Sequence, residues 1–203
     1  MASITRCWPR PPERLLAALR RSLVPLVALL LCQPSFAEEA RIGYAAVQSR
    51  EEGYTLDADI DFRLNPRLED AVQRGVALHF VLEAEITAPR WYWFDEAVVG
   101  RRLEYRLSYQ PITRKYRLNI GSLYRNFDTI EPAIQAMQRT RNWLIAPTGT
   151  LRDGVSYDAA VRFRLELNQL PKPFQVTAIG SSDWTLESNW NRWTFLATPP
   201  ETP

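Results

Sequence analysis

Asp57, Asp59 and Asp61 stand at alternate positions, the spacing at which a calcium loop presents its first three oxygen ligands. Such a loop also needs glycine at its sixth position and a bidentate glutamate at its twelfth; this chain has Phe62 and Leu68 there. On a strand, alternate residues lie about 7 Å apart, too far for three short side chains to share one ion. The row therefore reads as the acidic outer face of a strand, paired with arginines of a neighbour. Cations of the right spacing exist: Arg102 and Arg106 flank Glu104, Lys115 and Arg117 follow, and Arg162 and Arg164 precede Glu166. If Gln110-Pro111-Ile112-Thr113 is the tightest turn, Arg106 faces Arg117, and like charges directly opposite destabilise a ladder. A carboxylate between them, or an anionic partner, would relieve that register. One two residues longer sets Arg106 against Asn119 and removes the conflict.

His79 is the only histidine, in the polar phase between Leu78 and Phe80. No Gly-x-Ser-x-Gly or comparable nucleophile motif accompanies it, and one histidine without cysteine makes a poor zinc site. A carboxylate pair for glycosidase work would be assembled in space, and nothing singles one out. We expect no catalytic residue, cofactor or metal, and no enzyme. The least expected stretch is Trp91-Tyr92-Trp93-Phe94, after Thr87-Ala88-Pro89-Arg90 where a turn belongs. Consecutive aromatics cannot all face one way on a strand, so the run is either a contact patch or a loop plugging one end of the core. Trp184, Trp190 and Trp193 would then supply the cover.

These groups must be carried by strands, because period two dominates the chain. Tyr54–Leu64 alternates strictly, with Tyr54, Leu56, Ala58, Ile60, Phe62 and Leu64 on one face. The pattern returns at Val76–Ile86, Leu103–Tyr109, Tyr116–Ile120 and Tyr157–Leu167, and more weakly at Ile42–Gln48, Phe174–Ala178 and Trp184–Trp190. Two short helices interrupt it. Asn65 caps one with Pro66 at its first position, running to Arg74 before Gly75. The other spans Asp128 to about Thr140, with Ile130, Ala133, Ile134 and Met137 on a stripe and capping-box chemistry at Asp128–Glu131. About eight strands predict a mainly β fold: a single antiparallel β-sandwich, immunoglobulin-like sandwiches included, or alternatively a small β-barrel.

Residues 1–37 read as a secretory signal: arginines at 6, 10, 14, 20 and 21, the apolar run Leu23–Leu31, then Ser35-Phe36-Ala37 with small residues at −3 and −1. The run has nine residues and contains Pro25, against the roughly 20 that span a bilayer. Arg20-Arg21 is a weak twin-arginine signal, and Leu31 before Cys32 argues against a lipoprotein box. Cleavage after Ala37 is expected, leaving residues 38–197 as one β-rich domain and 198–203 as a disordered tail. Both cysteines leave with the signal, so the exported domain folds without a disulfide. Five of the 25 Lys+Arg and one of the 23 Asp+Glu lie in 1–37, leaving 20 and 22, a net charge near −2. That balance gives no support to nucleic-acid binding.

Three segments carry a family resemblance. They are Pro111-Ile112-Thr113-Arg114-Lys115-Tyr116-Arg117-Leu118 with Gly121, Asn168-Gln169-Leu170-Pro171-Lys172-Pro173-Phe174-Gln175-Val176, and Asp183-Trp184-Thr185-Leu186-Glu187-Ser188. In this order, after a signal peptide, the chain resembles the proteobacterial domain of unknown function 4390, also called proline-rich signal peptide proteins. The resemblance implies no activity, cofactor or catalytic residue. Members are often encoded beside a ribosomal RNA methyltransferase and a membrane sensor kinase of the nitrogen-regulation type, which implies an envelope role near a sensor. Leu170–Phe174 reads as a rigid extended crossover between sheets, open to recognition as an extended segment. The expected function is that of a periplasmic, non-catalytic protein-binding module, with no stable membrane insertion once the signal is removed. Its expected surface comprises Trp91, Tyr92, Trp93, Phe94, Arg106, Arg117, Pro171, Lys172 and Pro173. A small-ligand or lipid carrier is the alternative, if the strands enclose a cavity; a core filled by Phe80, Phe163 and Tyr105 would rule against it.

Overall fold

The computed structural model describes residues 40–88, 96–178 and 180–199. Among these, nine strands build two antiparallel sheets. The smaller has β1 (Arg41–Arg50), β2 (Gly53–Asp61) and β7 (Arg139–Pro147) in that spatial order. The larger has β3 (Leu78–Ala88) and β4 (Glu96–Gln110) at its centre. On one side lie β5 (Lys115–Ile120) and β6 (Leu123–Phe127), on the other β8 (Ser156–Leu165) and β9 (Asn191–Leu196). The order β6-β5-β4-β3-β8-β9 begins as a four-strand meander, since short hairpins are the cheapest way to pair successive strands. The three-and-six division departs from the four-and-three of an immunoglobulin constant domain. No closed barrel forms among the described residues; the fold is an open sandwich.

The alternation seen in the sequence is the burial pattern. Leu56, Ala58 and Ile60 of β2, Phe80, Leu82, Ala84 and Ile86 of β3, and Val161, Phe163 and Leu165 of β8 are buried, while their intervening residues are mostly polar and turned outward. Aromatic rings fill the middle. Phe80 and Phe163 stack with centroids 5.6 Å apart and planes 5° apart. Phe62 lies 4.9 Å from Phe163, and Tyr105 meets it edge-on at 6.2 Å. Truncating one such ring costs about 3–5 kcal/mol. The Tyr105 hydroxyl and Thr140 Oγ1 are 2.7 Å apart, a bond joining β4 of one sheet to β7 of the other. Burial pushes the Tyr105 phenol up to about 12, the Thr140 bond opposing only part of that. These rings occupy the space a carrier's internal cavity would need.

Helix α1 (Pro66–Gln73) forms as its sequence dictates. Asn65 Oδ1 accepts the Leu68 N–H at 2.9 Å, Pro66 sits at the start, and Leu68, Ala71 and Val72 are buried. It ends in a Schellman motif: Val76 N–H donates to Ala71 and Gly75 N–H to Val72, with Gly75 at φ 87°. Helix α2 (Ile130–Gln138) is shorter than expected. Thr129 is its N-cap without a side-chain capping bond, and Arg139 and Thr140 already belong to β7.

Three expectations are corrected. Phe174–Ala178 is not a strand but part of helix α3 (Lys172–Ala178). Leu170 keeps an extended backbone, yet Lys172 is helical, so Pro171-Lys172-Pro173 opens a helix instead of forming an extended crossover. Residues 184–190 are not a strand: they follow the 3₁₀ turn Ser182–Trp184 and hold one isolated bridge, Arg164 to Glu187, before β9.

Candidate interaction surface

The outer face of the larger sheet collects most of the charged residues singled out in the sequence. Glu83 on β3 is in register with Arg102 of β4 on one side and Arg162 of β8 on the other. Its carboxylate takes Arg162 Nη2 at 2.6 Å, Arg102 Nη2 at 3.2 Å and Arg164 Nη2 at 3.2 Å. Glu166, just past β8, takes Arg102 and Arg164, each at 3.0 Å. The two carboxylates are 14% and 13% exposed, so they lie beneath the guanidinium groups. Burial alone would raise the Glu83 carboxyl; hydrogen bonds from Arg164 and Arg162 outweigh it and hold it below the usual carboxylate range. Trp190 lies under the cluster's edge, with Arg162 4.6 Å and Arg192 5.7 Å from its ring centre. Three guanidiniums and two carboxylates thus satisfy one another.

The acidic row on β2 does find an arginine on a neighbouring strand, at Asp59, but not one of those singled out in the sequence. Arg141 of β7, which the sequence patterning did not single out, forms the ion pair with Asp59 and also donates to the Ala58 carbonyl at 2.9 Å. Asp57 accepts the Asn142 N–H at 2.7 Å, where Asn142 takes the left-handed φ of 52° beside the β2–β7 irregularity. Arg102, Arg162 and Arg164 serve Glu83 and Glu166 instead, because those lie in the same sheet.

Toward β5 and β6 the balance changes. The register pairs Arg106 with Asn119 and Ser108 with Arg117, the longer of the two anticipated, closed by a Pro111–Arg114 turn with Arg114 at φ 55°. Arg106 is exposed and makes no ion pair among the described residues. Arg117 donates to Asn126 Oδ1 at 3.2 Å and lies 5.0 Å from the Tyr124 ring centre. Arg125 lies 5.3 Å from the Phe127 ring centre. Among the described residues Lys115 alone finds a carboxylate here, Asp128 at 3.2 Å, both groups exposed. Apolar side chains stand out in this half: Ile112 at one hairpin tip is 98% exposed, and at the other end of β5 Leu123 (74%) and Tyr124 (61%) stand on opposite faces of β6. We call this end of the sheet the β4–β6 strip.

Of the expected surface, Trp91, Tyr92, Trp93 and Phe94 lie outside the described residues, as does the Ala37 cleavage site. Among the described residues Trp184 packs 5.7 Å from Phe174 and Trp190 lies against Arg162 and Arg192. Arg106 and Arg117 share the strip. Pro171, Lys172 and Pro173 are exposed but belong to α3, where Pro173 edges a cleft of about 230 Å³ between α1 and α3 whose lining includes neither arginine. Ile112, Leu123, Tyr124 and Arg125 went unrecognised as site residues. Exposure of an apolar residue has no sequence period, and β6 alternates on neither face.

His79 borders a cleft of about 60 Å³ with Arg102, Glu104, Glu166 and Gln169. Burial lowers its pKa below the ordinary value, Arg106 on the paired strand lowers it further, and Glu104 opposes them. The lining offers no hydroxyl or thiol nucleophile. Among the described residues no three His, Cys, Asp or Glu side chains gather as metal ligands, and no helix is long and apolar enough to cross a membrane.

The sequence model of the family described as "domain of unknown function (DUF4390)" matches residues 37–194. The chain belongs to the DUF4390 family. Neither the curated proteins nor the solved structures yielded a match. Within this DUF4390 domain the three segments that carried the resemblance separate physically. Two of them interlock: Phe174 packs on Trp184, Gln175 Nε2 donates to the carbonyls of Asn168 and Leu170, and Ser188 Oγ accepts the Phe163 N–H at 2.9 Å. Asn65 Nδ2 ties α1 to the same unit through the Asp183 carbonyl. The third, Pro111–Leu118, forms the hairpin whose tip is the most exposed apolar point described. Packing accounts for two segments and leaves the tip unexplained.

Proposed function

We propose that this DUF4390 domain is an exported, non-catalytic protein-binding module of the cell envelope, and that the β4–β6 strip is its contact surface. One observation carries the reading: Leu123 and Tyr124 on β6 and Ile112 at the other hairpin tip stand in solvent in the half of the sheet where Arg106, Arg117 and Arg125 hold no carboxylate among the described residues, whereas Arg102, Arg162 and Arg164 are paired with Glu83 and Glu166. Exposed apolar side chains among unpaired cations are what an interface with an apolar centre and an electrostatically steered rim requires. Residues 1–37 supply the motive for export, and among the described residues no cluster of polarised acids and bases supports catalysis. The partner is an envelope protein; a membrane sensor is the kind the family's gene neighbourhood suggests.

The test uses the tagged full chain in its own host. Fractionation should place the processed protein in the periplasm, and crosslinking there should recover a discrete complex. Replacing Ile112, Leu123 and Tyr124 together by serine should abolish the complex while leaving the fold intact by circular dichroism. A cytosolic protein, no complex, or a complex indifferent to the triple variant would overturn the reading.

A further inference from the structure

The free edge of β6 specifies what the partner brings. Gly121 and Ser122 close a two-residue hairpin between Ile120 and Leu123, Gly121 at φ 54°, and the residues that close such a turn are a hydrogen-bonded pair. Gly121 N–H donates instead to Glu104 on β4, which fixes the phase: odd-numbered positions there face β4, and Ile120, Leu118 and Tyr116 face β6. Their register partners Leu123, Arg125 and Phe127 therefore bond inward to β5, and the N–H and C=O groups of Tyr124 and Asn126 point away from the sheet. β6 ends the strand order, so no described strand takes them up. Sheets usually blunt such an edge with proline, a bulge or a covering loop. Here the register shows no bulge and the strand contains no proline.

Resting on the protein-binding reading above and naming its mode, we propose that β6 is extended by a strand of the partner whose sequence is apolar–x–acidic–x–apolar. Four outward backbone groups on Tyr124 and Asn126 give the main-chain bonds. Between them Arg125 projects to the side of Leu123 and Phe127, so the added strand sets one residue against Arg125 and one each against Leu123 and Phe127. Arg125 makes no ion pair among the described residues and rests only against the Phe127 ring, so the opposing residue is Asp or Glu. A second copy of this chain fits poorly: the antiparallel register that uses all four backbone groups places Arg125 against Arg125 of the other copy, and like charges in that position repel.

The probe is the symmetric peptide Thr-Val-Thr-Glu-Thr-Val-Thr, titrated into the purified protein and followed by amide NMR shifts. Saturable changes should centre on residues 116–127. The peptide with Lys for Glu should bind about fivefold more weakly. Arg125→Glu should invert that preference, and Asn126→Pro, which removes one outward donor, should abolish binding of both peptides without loss of fold. Absence of saturable shifts, shifts centred elsewhere, or a charge preference unmoved by Arg125→Glu overturns the proposal. So does a dimer in sedimentation that Asn126→Pro dissolves, since the occupant would then be a second copy. If strand addition fails while the serine triple variant still abolishes the crosslinked complex, protein binding stands and only this mode falls.

Discussion

The two halves of one sheet use the same residue types to opposite ends. Across β3, β4 and β8, three arginines close over two carboxylates, and the ladder register puts each partner in reach before any side chain has to stretch. Across β5 and β6, four strands' width from β9, arginines of equal length lie on aromatic rings or in water, and apolar residues stand beside them. A charge is structural here when its strand neighbour is its counter-ion. Where the register supplies asparagine or another cation's neighbour, the charge is left for something outside the chain. The difference lies in register, which no residue count reveals.

The comparison breaks first at Glu83. Glu83→Ala leaves the part-buried guanidiniums of Arg162 and Arg164, and the exposed one of Arg102, with one carboxylate, and urea denaturation should show a loss of about 2–3 kcal/mol. Since the Glu83 carboxyl is held low in the folded protein, its contribution is complete above the usual carboxylate range and drains away as pH falls toward the lowered value. Stability measured from pH 7 down to pH 3 should therefore drop less steeply for Glu83→Gln than for the parent. The strip should behave oppositely. Arg106→Ala, Arg125→Ala and Ile112→Ser should each change stability by no more than about 0.5 kcal/mol in the same denaturation, because they lose only exposed contacts. A large loss at any of them would make the strip structural.

The smallest expected effect sits at the seam between the halves. His79 titrates below its ordinary value, so the unfolded chain protonates first as pH falls, and this group's stabilisation declines from about pH 6.5 downward. Arg106→Ala should move the His79 NMR titration midpoint part of the way back up, by less than burial displaces it. A midpoint that stays put would mean the Arg106 charge does not reach the ring.

The legibility of the chain followed burial. β2, β3, β4 and β8 have one face in the core, so their alternation was visible, and Asn65-Pro66 with Gly75 marked α1 at both ends. β6 is exposed on both sides and has no period to read. β7 was missed because it leaves α2 without a loop and its phase breaks at Asn142, where φ is positive. Phe174-Gln175-Val176 imitates a strand, yet Gln175 binds back to Asn168 and Leu170 and winds the segment into α3. The Arg106–Asn119 register could be chosen from charge repulsion alone. The partner of the acidic row could not, because strand order decides which arginine stands next to Asp59.

Site-specific photocrosslinking in the native host tests the central claim most directly, with a photoreactive side chain placed in turn at Tyr124, at Ile112 and at Arg162. A discrete adduct from positions 124 and 112, and none from 162, is the result expected of a partner seated on the β4–β6 strip. An adduct from 162 with silence at 124 and 112 would contradict it.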